Sequence, residues 1–147
     1  MQSTVMDLLE DKEQWILTID RRASAREAIQ SMVDADVGSI IVLDGDQPIG
    51  IFTERDYLRR VVLAENVEGS IAVEEVMTPS MICVDPDYTV EECMAIMTSQ
   101  RCRHLPVMER GDLTAMVSIG DCTKQISREA DVRIHHLEDY ITGEYPR

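Results

Sequence analysis

Aromatic side chains are scarce in this 147-residue chain: one Trp, one Phe and four Tyr, 4 % of the whole. A core with so few rings must be filled by Val, Ile, Leu, Met and Ala. Apolar residues still make up 44 %, an ordinary globular share, so a packed interior is expected. Basic residues are also in deficit, 14 against 28 acidic ones, for a formal net charge of −14. So acidic a chain repels a phosphate backbone at long range, which argues against nucleic acid as a partner. A small phosphorylated ligand is not excluded, because it feels nearby arginines more than distant carboxylates.

Cysteine is sparse and lacks a pairing motif. Cys83, Cys93, Cys102 and Cys122 form no CxxC, and no Cys/His cluster has zinc-ligand spacing. Cys93 and Cys122 sit where an apolar residue would serve, and are read as buried free thiols. Long hydrophobic runs are missing too: the longest aliphatic stretch, Ile40–Leu43, is far too short to cross a bilayer. Residues 1–15 show no charged start followed by an apolar run, so no secretory signal is read there. Free thiols without signal or span give the expectation of a cytoplasmic protein with no membrane partner. Catalytic patterns are absent as well: no P-loop, dinucleotide fingerprint, Ser/His/Asp or Cys/His arrangement is visible. Of the three histidines, His135 and His136 fall on the terminal helix and read as solvated, leaving His104. A protein that is not an enzyme is expected.

What is present is a repeat. A gapless shift of 65 residues lays Ile19–Val61 on Val84–Ile126, placing Asp20 on Asp85, Glu27 on Glu92, Met32 on Met97, Val42 on Val107 and Asp56 on Asp121. Each copy reads the same way physically. Ser24–Glu27 and Thr89–Glu92 are capping boxes, followed by apolar faces at helical spacing (Ala25, Ala28, Ile29, Met32; Val90, Cys93, Met94, Met97). Short aliphatic strands follow at Ser39–Leu43 and His104–Met108. Turns at Gly45-Asp46 and Gly111-Asp112 lead to second strands at Ile49–Thr53 and Thr114–Ser118, and then to a polar helix. With opening strands at Leu17–Ile19 and Ile82–Val84, the unit is strand–helix–strand–strand–helix. The expected fold class is α+β (mixed α/β), with two pseudo-symmetric repeats packed sheet to sheet. The first repeat takes residues 1–65, a linker 66–80 and the second repeat 81–147. The linker should hold a helix around Val73–Met77, ended by Pro79. A stripe at Ile126, Ala130, Ile134, Leu137 and Ile141, ending at Gly143, either packs on its own domain or joins a second copy.

The segment Gly50-Ile-Phe-Thr-Glu-Arg-Asp56 runs from a strand straight into a helix, with Thr53 and Asp56 on one side of the helix start. A carboxylate there can accept from both hydroxyls of a vicinal diol, such as a ribose, and charged acceptors make the stronger bonds. Ser118 and Asp121 repeat the pair. The plain structural reading is a helix cap with a first-turn carboxylate; its duplication at the same junction favours a ligand.

These junctions, the strand His104-Leu-Pro-Val107 and the segment Asp36-Val-Gly-Ser-Ile-Ile-Val42 resemble those of cystathionine-β-synthase-type (CBS) domains. The resemblance covers about residues 5–141. It is nearest to small stand-alone bacterial-type pairs, whose ends are similar to Leu137–Gly143. It implies a Bateman module: two adenosine-ligand sites between the repeats, taking AMP, ADP, ATP, NAD(H) or S-adenosylmethionine, and pairing of two modules into a homodimer. Carried over by position, Thr53 with Asp56, and Ser118 with Asp121, would each hold a ribose. Backbone around Gly38-Ser39-Ile40 and His104-Leu105-Pro106 would face an adenine edge. Thr18 and Cys83 would wall the pockets, and Arg55, Arg101, Arg103 and His104 would meet phosphates. Two departures make the sites unequal: Ala115 replaces Gly50, and Arg103 replaces Gly38. The function expected is a regulatory adenine-nucleotide sensor; the alternative is an interaction module whose ligand sites have decayed.

Overall fold

The computed structural model describes residues 2–10, 16–79 and 81–142, with side chains described up to residue 132. The elements in order are α1 (Val5–Glu10), β1 (Thr18–Asp20), α2 (Ala25–Ala35), β2 (Ser39–Asp44), β3 (Gln47–Thr53), α3 (Glu54–Asp56), a π-helix (Tyr57–Val62), α4 (Val73–Val76), α5 (Val90–Gln100), β4 (His104–Glu109), β5 (Asp112–Ser118) and α6 (Ile119–Thr142). Both capping boxes form: Ser24 opens α2 and Thr89 opens α5, each with its reciprocal glutamate bond. Both helices end on a left-handed residue, Asp36 at φ 55° and Arg101 at φ 54°. The hairpins carry the same bulge one copy apart, after Val42 and after Val107. The repeat therefore extends to irregularities that no periodicity announces.

The first sheet has the order β1-β2-β3, with β1 parallel and β3 antiparallel to β2. The second, among the described residues, joins β4 and β5. The opening strand expected at Ile82–Val84 is reduced to one bridge, Val84 with Val107. The cause is a proline. In the first repeat Ile41 N–H donates to Leu17 O at 3.0 Å; the residue in register with Ile41 is Pro106, which has no N–H to give. Its carbonyl instead accepts from Val84 N at 2.9 Å.

Among the described residues two apolar clusters form, one per repeat. Val5, Leu8 and Leu9 of α1 lie in the second cluster, with Val84, Cys93, Met97, Leu105, Val107, Val117 and Cys122. Val73 and Val76 of α4 lie in the first, with Ala28, Met32, Ile40, Val42, Phe52 and Val61. Each opening helix packs as the other does, on the repeat it does not precede. Val5 N donates to Tyr88 O at 2.8 Å and Val73 N to Ala23 O at 2.7 Å; Val90 N donates to Ser3 O and Ala25 N to Ile71 O, both at 2.9 Å. Helix α1, which precedes the first repeat in the chain, packs on the second.

The helix after β3 is not the polar α-helix expected. After three α-helical residues it widens into a π-helix, with Leu63 N–H bonded to Leu58 O at 2.9 Å. Leu58, Val62 and Leu63 project from it at 56 %, 49 % and 77 % exposure. After β5, α6 runs on for 24 residues. Of the terminal stripe, Ile126 is exposed and Ala130 half-buried. The side chains of His135, His136, Ile134, Leu137 and Ile141, and the cap expected at Gly143, lie outside the described residues.

Candidate functional site

Both strand-to-helix junctions form reciprocal caps. Thr53 Oγ1 accepts from Asp56 N at 3.1 Å, while Asp56 Oδ2 accepts from Thr53 N at 3.0 Å. Asp121 N donates to Ser118 Oγ at 3.1 Å and Ser118 N to Asp121 Oδ2 at 2.8 Å. The two carboxylates differ in their surroundings. Asp56 is 8 % exposed. Thr78 of the linker donates its hydroxyl to Asp56 Oδ1 at 3.1 Å, and Arg60 Nε stands 3.9 Å from the same oxygen. Arg60 also donates to the carbonyls of Val76 and Met77 at the end of α4. Asp56 is thus tied into the closure of the linker over the first repeat, whereas Asp121 is half-buried. Sequence reasoning missed Thr78 and Arg60, since neither belongs to the duplicated pattern.

Gly50 serves this closure. Thr78 and Ile51 exchange backbone bonds at 2.8 and 3.0 Å, and a Cβ on Gly50 would stand 2.7 Å from Thr78 O and 2.5 Å from Met77 Sδ. The glycine admits the linker backbone.

Between the repeats, Arg55, Arg101 and Arg103 come together. With Met97, Thr98, Cys102 and Ile119 they line a cleft of about 190 Å³. Arg55 Nη1 donates to the carbonyl of Arg101 at 3.4 Å, capping the C-terminal end of α5 where the helix dipole favours a cation. Beside the cleft, Gly38 faces the other repeat. A Cβ there would meet Glu54 Oε1 at 2.7 Å and the His104 ring at 3.4 Å, so Glu54 and His104 converge over it. Glu54 N and Ile119 N donate to the carbonyls of Gly38 and Arg103, at 3.2 and 2.8 Å, which holds each junction to its own hairpin.

The remaining expected residues are more scattered. Ser39, at 6 % exposure, Ile40 and Leu105 are buried within their sheets. The Pro106 carbonyl accepts from Val84 N–H at 2.9 Å. Thr18 is exposed in β1, paired with Ile41. Cys83 is half-buried, and burial raises its thiol pKa. Neither Thr18 nor Cys83 lines the arginine cleft. Burial also raises Cys102, and pushes Cys93 up to about 11 with help from Glu92. Thiols held protonated are poor nucleophiles. Among the described residues no group of His, Cys, Asp and Glu is arranged to hold a metal ion, and no helix is long and apolar enough to cross a membrane.

The family model described as "CBS domain" matches twice, over residues 16–63 and 73–128. A mitochondrial CBS domain-containing protein of Arabidopsis thaliana is 33 % identical over 97 % of this chain and 74 % of its own. A structure of a protein with CBS domains from Burkholderia ambifaria superposes with a TM-score of 0.83 at 41 % identity, covering 84 % of this chain and 93 % of that one. A CBS domain protein from Pyrobaculum aerophilum, complexed with AMP, shares the fold at a TM-score of 0.71 and 23 % identity, over 80 % of this chain and 88 % of its own. The duplicated unit, its matching bulges and caps, and the two family matches lead to one assignment: the chain belongs to the CBS domain family, as a tandem pair.

Proposed function

We propose that the chain is a regulatory module that binds an adenine nucleotide between its repeats and does not turn it over. The observation that carries this reading is one cleft lined by three arginines, whose edge residue Ile119 stands between Ser118 and Asp121. Guanidinium groups suit phosphate oxygens, and a carboxylate with a neighbouring hydroxyl suits a ribose diol. The family relationship and the AMP complex of the Pyrobaculum relative support it. Ser118 and Asp121 are assigned the ribose, and Arg55, Arg101 and Arg103 the phosphates. His104 and the backbone at Leu105 border the base. At the first junction a ribose would have to take the place of the Thr78 hydroxyl on Asp56; Thr53 and Asp56 are the other candidate ribose pair. AMP, ADP, ATP and NAD(H) all fit the diol contact. A homodimer and a cytoplasmic setting complete the proposal.

The test is calorimetric titration of the purified chain with AMP, ADP, ATP, NAD and NADH, alongside native mass spectrometry. A saturable nucleotide complex, recovered unchanged after incubation, is the expected result. A flat titration against the whole panel sinks the reading, and turnover of the bound nucleotide sinks its non-catalytic half. A second reading, an interaction module with closed ligand sites, is supported by the engagement of Asp56 within the chain, and the flat titration would favour it.

A further inference from the structure

The pseudo-symmetry relating the two repeats can be applied to the arginine cleft itself. Arg55 is in register with Gly120, Arg101 with Asp36, Arg103 with Gly38 and Ile119 with Glu54. The backbone is the same on both sides: Asp36 and Arg101 end their helices in one left-handed conformation, at φ 55° and 54°. The side chains are not. One face carries three cations; its mate carries two carboxylates and no cation at these positions. The room that Gly38 leaves is taken by the Glu54 carboxylate. In a chain of net charge −14, three arginines lining one cleft form a local reversal of sign, and the mate reinforces the global one.

We propose that the chain binds one nucleotide, not two, and that the arginine cleft selects ligands with at least two linked phosphates. This rests on the adenine-nucleotide reading above and narrows it. A phosphate monoester carries about two negative charges at neutral pH, which leaves one of the three guanidiniums unmatched; a di- or triphosphate matches all three. At about 190 Å³ the cleft is smaller than the usual whole-ligand pocket, roughly 300–1,000 Å³. It suits a phosphate chain, with the nucleoside outside it along the seam. On the mate side, Asp36 and Glu54 repel that chain. Specificity here is set as much by repulsion as by attraction.

The experiment counts bound ligand by native mass spectrometry and measures affinity by calorimetry, using adenosine, AMP, ADP, ATP and inorganic tripolyphosphate. One equivalent is expected, with ADP and ATP binding at least roughly tenfold tighter than AMP, as one charge-assisted contact is worth. Arg101→Asn with Arg103→Ser should remove that advantage while leaving the adenosine affinity unchanged. Asparagine accepts the left-handed backbone at 101, so the pair tests charge and not folding; a circular dichroism melt checks this. Two equivalents on the unaltered chain would overturn the proposal, as would ATP binding no tighter than AMP; the adenine reading survives either result. Tripolyphosphate binding without any nucleotide binding would keep the cleft and overturn the adenine reading. Binding of neither overturns both.

Discussion

At the residue scale, the two aspartates in register have been given different work. The Asp56 carboxylate is nearly sealed and receives the Thr53 backbone and hydroxyl, the Thr78 hydroxyl and the Arg60 guanidinium. Removing it strands the Thr53 and Thr78 donors, so Asp56→Ala should lower unfolding free energy by about 2 kcal/mol in urea titration. Asp121→Ala should cost less stability and instead weaken nucleotide binding by about 1.5–3 kcal/mol. Equal stability losses at the two positions, with affinity untouched, would overturn the division. The cysteines make a second prediction. Cys93 is fully buried and its thiol is pushed up to about 11, from 9. Between those values the unfolded chain loses a proton that the folded chain keeps, so stability falls as pH rises through that window. Alkylation in native buffer at about pH 8 should reach half-buried Cys83 and Cys102 before Cys93. Prompt labelling of Cys93 in a folded sample would show the core to be open.

At the element scale, the repeat of strands and capped helices was legible in the sequence because its register is gapless at 65 residues and its caps are explicit. The exchange of opening helices was not. Thr4 corresponds to Ala72 and Val5 to Val73 by their bonding, three residues off that register, so the shift that aligns the rest separates these two. Composition hides them further: α4 reads as a linker between repeats and α1 as a leading tail. The loss of the second opening strand was present in the sequence as Pro106, but its effect depends on knowing that its counterpart Ile41 donates across the sheet. The junction residues were found from sequence, while Thr78, which occupies one of them, could be found only from the close approach at Gly50. The packing of α1 gives a direct test. Leu8→Ala should destabilise the chain by about 2 kcal/mol and speed alkylation of Cys93 and Cys122, which share its cluster. If the opening helix instead served the first repeat, those two thiols would be unaffected.

At the scale of the whole molecule, the net charge of −14 sets the terms on which two copies can meet. Like-charged chains repel, and the repulsion reaches about 8 Å at physiological ionic strength. Attraction must come from a contact that salt does not screen. The π-helix offers one, because its wider turn brings Leu58, Val62 and Leu63 out together, all at least half exposed or nearly so, with Val67 exposed just beyond. A proposed homodimer formed through this stripe is held by apolar burial and opposed by net charge. Its dissociation constant should therefore fall as salt rises from roughly 20 mM to roughly 300 mM, because screening removes the opposition and leaves the attraction. Leu63→Glu should return the chain to a monomer and lower the melting temperature only by what association itself supplied, since that side chain is 77 % exposed in the single chain. Sedimentation velocity at the two salt concentrations reads both effects. Dissociation on adding salt would mean that ion pairs hold the copies together, and dimers undisturbed by Leu63→Glu would place the contact on another face.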